Sequence, residues 1–216
     1  MPEPAPKKEL DRATTFSTAF DVVGEILLAN PGIESMHFVI YHEGPNWRDR
    51  VPTENDNELA VHLRGLQQDR GERNHRMLNR DEISPQKLEA LALGLPSGEL
   101  VGVASDVRLA GGRAGQIPMM DFMCPASAHN QATLTRLLKE LPQSRGYLLD
   151  SGRSYHYYGS QVLSEREWHV FLGKCLLMSG FVDDRYIGHQ LVDGHCVLRL
   201  SAGKLKTSVP RVLLEL

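Results

Sequence analysis

The chain has 216 residues, 41% hydrophobic and 24% charged, with a formal net charge of −3. That composition supports one buried core, argues against wholesale disorder and excludes a generic basic nucleic-acid coat, leaving room only for a local basic patch. Cys124, Cys175 and Cys196 stand far apart in apolar runs, which reads as buried free thiols in a reducing compartment.

In chain order, "MPEPAPKKEL" has no apolar signal-like run, and no stretch reaches membrane-span length. These features point to a cytoplasmic protein with no membrane partner and a disordered tail over residues 1–12. Phe16, Phe20, Val23, Ile26 and Leu27 form a helical stripe that "NPG" closes. A strand is expected over Met36 to His42, then a helix from Thr53 to Gln68 with Leu59, Leu63 and Leu66 on one face. "RGERNHRMLNRDE" reads as a charged connection, and Ser84 caps a short helix with Pro85 at its first position.

From residue 99 the pattern is regular. "ELVGVASDVRL" and "GQIPMMDFM" are expected strands joined by the glycine-rich "AGGRAG" hairpin. A helix follows over Ser127 to Leu141, then strands in "RGYLL" and "SYHYYG" on either side of a "DSGR" corner. Ser164 and Glu167 form a capping box for a helix through Met178. "RYIGHQLV" and "HCVLRLS" are expected to flank an Asp193-Gly194 hairpin. The fold class is therefore α+β: an antiparallel or mixed sheet with helices on one face, and an RRM-like core of hairpin-helix-hairpin-helix-hairpin type. Residues 13–98 would be an N-terminal α/β elaboration packed on a core of 99–216, one compact domain overall.

Strand parity places Ser154 with His156, and Met119 with Asp121 and Met123. Around the expected Asp193-Gly194 turn it places Asp184 with Arg199 on a polar face, and His189 with Ile187 and Leu191 on an apolar one. A carboxylate, a Ser-x-His pair, a second carboxylate and an arginine would then share one face. Each is commonly structural when alone; order and spacing make the case. "GRSYH" is not a G-x-S-x-G elbow, because His156 takes the last position. The nine histidines show no zinc-type spacing, so structural roles are expected for them. Tyr155 and Tyr157, opposite in parity to His156, are expected to pack on helices. The arginines of residues 64–80 read as solvated surface.

"MMDFM", "SGRSYHYY" and "DDRYIGHQL" with "LRLSAGKLKTSVPRV" resemble the three motifs of the archaeo-eukaryotic primase, or primase-polymerase, superfamily, in a divergent primase-like branch. The resemblance covers residues 99–216. It implies nucleotidyl transfer, with Asp121 and Asp184 (or Asp183) as catalytic acids holding Mg²⁺ or Mn²⁺. It further implies phosphate binding by Arg153, Ser154, His156 and Arg199, with Ser201 and Lys204 in the following basic segment. The implied partners are a nucleoside triphosphate or nucleic acid, with other proteins supplying other activities.

One position departs from the pattern. Met123 stands where the first motif carries its second aspartate, and a thioether does not replace a hard oxygen ligand. Asp106 is too distant along the strand to substitute, and Asp150 is the better substitute. Three readings stay open: a degenerate nucleotidyltransferase, a non-catalytic nucleic-acid-binding or assembly subunit, and a single-metal phosphate hydrolase.

Overall fold

The computed structural model describes residues 17–43, 73–142 and 144–216. The sequence-expected helix over 53–68 and the tail over 1–12 lie outside the described residues. Helix α1 (Ala19–Ala29) opens with a reciprocal Thr18–Asp21 capping box and buries Phe20, Val23, Ile26 and Leu27 along one stripe. Strand β1 (Ile33–His42) follows, buried through most of its length. Helix α2 (Pro85–Leu93) starts as its sequence demands, with Ser84 accepting from the Lys87 amide and Pro85 at the first turn.

The connection expected at residues 73–82 is instead strand β2 (Arg73–Asn79), followed by a 3₁₀ turn. It pairs antiparallel with β1, Val39 opposite His75 and His37 opposite Met77. A mostly exposed, charged edge strand needs no apolar alternation, which is why the pattern hides it. Arg80 is not solvated surface. Its guanidinium donates to the carbonyls of Leu27, Asn30 and Ile33, tying the end of α1 to the start of β1.

Strand β3 (Glu99–Leu109) pairs with β1 along one edge. Its other edge is shared by β4 (Arg113–Gln116) and β8 (Val197–Arg199). The β3–β4 hairpin turns through Gly111 and Gly112, both left-handed at φ 77° and 73°, as the glycine-rich turn requires. Ile117 and Pro118 then interrupt the expected continuous strand. β5 (Met119–Asp121) belongs to a second sheet, ordered β5-β7-β6-β9 with β6 (Gly146–Asp150), β7 (Tyr155–Gly159) and β9 (Arg211–Glu215). The sequence pattern did not mark β9.

Helix α3 (Ala128–Lys139) is capped by Ser127, and α4 (Glu165–Leu176) by the Ser164–Glu167 box. Phe171 of α4 is fully buried and stacks on Tyr157. That burial contributes about 2–3 kcal/mol. Tyr155 packs into the core too, its hydroxyl exchanging hydrogen bonds with the Ser127 backbone.

The expected final hairpin is overturned. Residues Asp184–Asp193 form helix α5, with Asp183 as N-cap and Ile187 and Gln190 buried at helical spacing. Gly194, at φ 75°, is a left-handed C-cap whose amide bonds the Gln190 carbonyl. An Asp-Gly pair serves a hairpin and a helix end equally well, because both need a residue at positive φ. The Asp183 cap and the later i, i+3 burial decide for the helix. The parity that placed Asp184 beside Arg199, and His189 beside Ile187, lapses with the strand. The protein is thus α+β with antiparallel sheets and five α-helices among the described residues.

Candidate functional site

Asp121 ends β5 directly opposite His156 of β7, so their side chains leave the same sheet face. His156 Nε2 lies 3.7 Å from an Asp121 carboxylate oxygen. The imidazole is 5% exposed, and burial, with Arg199 and Lys206 nearby, depresses its pKa to about 3. It is therefore neutral at pH 7 despite the carboxylate. Its Nδ1 is buried without a hydrogen-bond partner among the described residues, as is the hydroxyl of Tyr158.

The "DSGR" corner is a built turn. Gly152 sits at φ 100°, its amide bonding the Asp150 carboxylate at 2.7 Å, while the Ser151 amide bonds the Ser154 carbonyl. Ser154 turns its hydroxyl inward onto the Phe122 carbonyl, tying the corner to the end of β5. Arg153 is exposed on the outside of the turn.

Arg199 reaches this place from the other sheet, so the convergence is between two sheets and not on one face. It is 7% exposed and donates to the carbonyls of Ser151 (2.8 Å), Ser208 (2.7 Å) and Ser201. Its guanidinium stitches the corner to the loop after β8, while its charge acts on His156, Asp121, Tyr41 and Tyr158. Burial raises Tyr41 to about 12 and pushes Tyr158 up further. The Ser201 hydroxyl accepts from the Val101 amide, another framework bond.

The loop after β8 brings a cation that motif comparison missed. Glu43, at the end of β1, accepts from the amides of Leu205 (3.0 Å) and Lys206 (2.8 Å). A Cβ at Gly203 would stand 2.6 Å from the Glu43 carboxylate, so a side chain there would displace that acceptor. Lys206 is thereby held half-buried, where its charge acts on Asp121 and is opposed by Arg153 and Arg199. Burial pulls its pKa below the ordinary lysine value. Lys204 is exposed on the same loop. No strand signal exists in "SAGKLKTS", so only the three-dimensional tie to Glu43 reveals the role of Lys206.

The two late acids separate. A backbone bridge joins Phe122 to Val182, and the Met123 amide bonds the Phe181 carbonyl. That antiparallel contact carries the buried Asp183 alongside the end of β5. Asp183 caps α5 by accepting from the Arg185 amide, and Asp184 is exposed one residue on. Asp106, set aside by spacing, is engaged elsewhere with His37 at 2.7 Å. Met123 is 39% exposed. Among the described residues, the one group of three or more His, Cys, Asp or Glu ligands is His37, His75 and His195, none of them at Asp121. Two-ion phosphoryl transfer needs carboxylates bridging ions about 4 Å apart, and Met123 offers a thioether where the first motif carries its second aspartate.

A family model described as AEP-like, archaeo-eukaryotic primase 1D-like, matches residues 80–210. Neither a curated protein nor a solved structure matches the chain. Among the described residues, no helix is long and apolar enough to cross a membrane.

Proposed function

The chain belongs to the archaeo-eukaryotic primase 1D-like family, and from that premise we propose that it binds the phosphates of a nucleoside triphosphate or a nucleic-acid end at the seam between its sheets, without transferring a nucleotide. The observation that carries this reading is His156: neutral, buried and, among the described residues, unpartnered at Nδ1, beside cations from two other segments. A buried polar atom with no protein partner fits a site that a hydrogen-bonding ligand completes. In this reading Lys206 and Arg153 supply the charge for an anion, and Lys204 extends it along a polynucleotide backbone. Arg199, Ser154 and Ser201 hold the frame through main-chain bonds. Asp121 opposes the anion and keeps affinity low, since like charges 4 Å apart repel by about 4 kcal/mol at an effective dielectric of 20.

Catalysis is not part of the proposal, because Met123 supplies no hard ligand where the family motif carries an aspartate. Calorimetric titration of the full chain with a nucleoside triphosphate, orthophosphate and a single-stranded oligonucleotide tests the reading. Saturable triphosphate binding that weakens about five- to tenfold in Lys206→Ala, equivalent to about 1 kcal/mol, supports it. Binding indifferent to that substitution, or absent in the unaltered protein, sinks it.

A further inference from the structure

Away from the seam, three histidines distant in sequence come together. His37 lies on β1, His75 on the neighbouring β2, and His195 directly after α5. The pairing of His37 with Met77 and of Val39 with His75 makes the first two diagonal neighbours on one sheet face. His37 Nε2 and His75 Nδ1 are 2.8 Å apart, and one ligand nitrogen from each histidine falls within 4.8 Å of the others. The ring of His195 stands 5.1 Å from that of His37, centroid to centroid.

We propose that His37, His75 and His195 form a binding site for a zinc-class divalent cation. Asp106 orients His37 from behind: its carboxylate meets His37 Nδ1 at 2.7 Å and leaves Nε2 facing the cluster. A carboxylate behind a ligating imidazole fixes the tautomer that offers the other nitrogen to a metal. A shift in the β1–β3 register between Met36 and Phe38 brings Asp106 to that position. His195 is held from both sides. The Gly194 carbonyl accepts from the Gln116 side chain at 3.0 Å, the Cys196 amide donates to the Ser105 hydroxyl at 2.8 Å, and Ser105 and Gln116 bond each other at 2.6 Å. Its Nε2 is buried without a hydrogen-bond partner among the described residues.

The spacing fits the ion after a small movement. Tetrahedral zinc with Zn–N bonds of about 2.0–2.1 Å sets its ligand nitrogens about 3.3 Å apart, so side-chain shifts of about 1 Å close the site. Loading moves the His75 proton from Nδ1 to Nε2 and needs no net proton release from neutral imidazoles. Three nitrogen ligands leave a fourth position, and the exposure of His75 lets water fill it. The ion would fasten β1, β2 and the α5–β8 turn together.

The test uses the full chain stripped with a chelator and titrated with Zn²⁺ against a competing indicator dye. One equivalent should bind with a Kd of about 1 µM or tighter, and the melting temperature should rise with zinc concentration. His75→Ala and His195→Ala should each weaken binding at least about 100-fold, and Asp106→Asn about tenfold. His75 is exposed, so its substitution leaves a folded protein to measure. Co²⁺ loading should give a tetrahedral d–d spectrum without a thiolate charge-transfer band, because the ligand group holds three histidines and no cysteine. The proposal is overturned by no saturable binding, by binding that survives both histidine substitutions, or by a thiolate band lost in Cys196→Ser.

Discussion

The two polar clusters in this protein are built in opposite ways. At the seam, most side chains are already committed to the chain's own backbone: Arg199 to three carbonyls, Ser154 to one and Glu43 to two amides. At the histidine cluster the backbone bonds lie behind the site, and the imidazoles bond mainly one another and Asp106. A frame built from buried charge-assisted bonds positions a few remaining groups, here His156 and Lys206. A frame standing behind imidazoles that bond one another presents a ligand set. Substitutions should therefore cost stability at the first and ion affinity at the second.

The largest expected effect is at Arg199. Arg199→Ala strands three carbonyls in a buried setting and should lower unfolding free energy by about 3–5 kcal/mol. Arg199→Lys should recover less than half of that, because a point charge does not reproduce the planar fork. Urea unfolding with an unchanged slope is the measurement. A loss below about 1 kcal/mol would break the contrast by showing that the seam is not held from within.

Acid comes next. His156 titrates at about 3 in the folded protein against an ordinary 6.5. Below pH 6.5 the unfolded chain takes up a proton that the folded chain refuses until about 3. This contribution is therefore fully present above 6.5 and declines toward 3, at roughly 1 kcal/mol per pH unit. Urea midpoints of wild type and His156→Gln between pH 7.5 and 4.5 should converge as pH falls. Parallel curves would place the imidazole in water.

The smallest expected effect sharpens the other side. His75→Gln in metal-free protein should change stability by less than about 0.5 kcal/mol, since an exposed edge position carries little packing. A large loss there would make the cluster a structural hydrogen-bond network like the seam.

Sequence pattern revealed the seam better than the cluster, for a physical reason. Asp121 and His156 sit on short strands where parity alone fixes the face, and both lie in motif-bearing stretches. Helix starts at Ser84 and Ser164 were equally readable, because each cap is a local hydrogen bond. Where the pattern failed, the deciding interaction was non-local or shared between structures. Asp193-Gly194 suits a hairpin and a helix end alike. β2 is a charged edge whose pairing comes from β1, and Lys206 owes its place to Glu43, 163 residues away. His37, His75 and His195 have no common spacing at all; only sheet register and the ties of Ser105 and Gln116 gather them.

The proposed binding of nucleotide phosphates at the seam, without the second acid for transfer, is open to a direct measurement. It is tested most directly by titrating wild type and Met123→Asp with a nucleoside triphosphate, in Mg²⁺ and in EDTA, beside extension of a labelled primer. Wild type should bind with the same affinity in both conditions and extend nothing. Met123→Asp should bind several-fold tighter in Mg²⁺ than in EDTA, because a hard oxygen then stands two residues from Asp121. Wild-type binding that vanishes in EDTA, or robust extension by wild type, would contradict the account and make Asp183 and Asp150 the next residues to substitute.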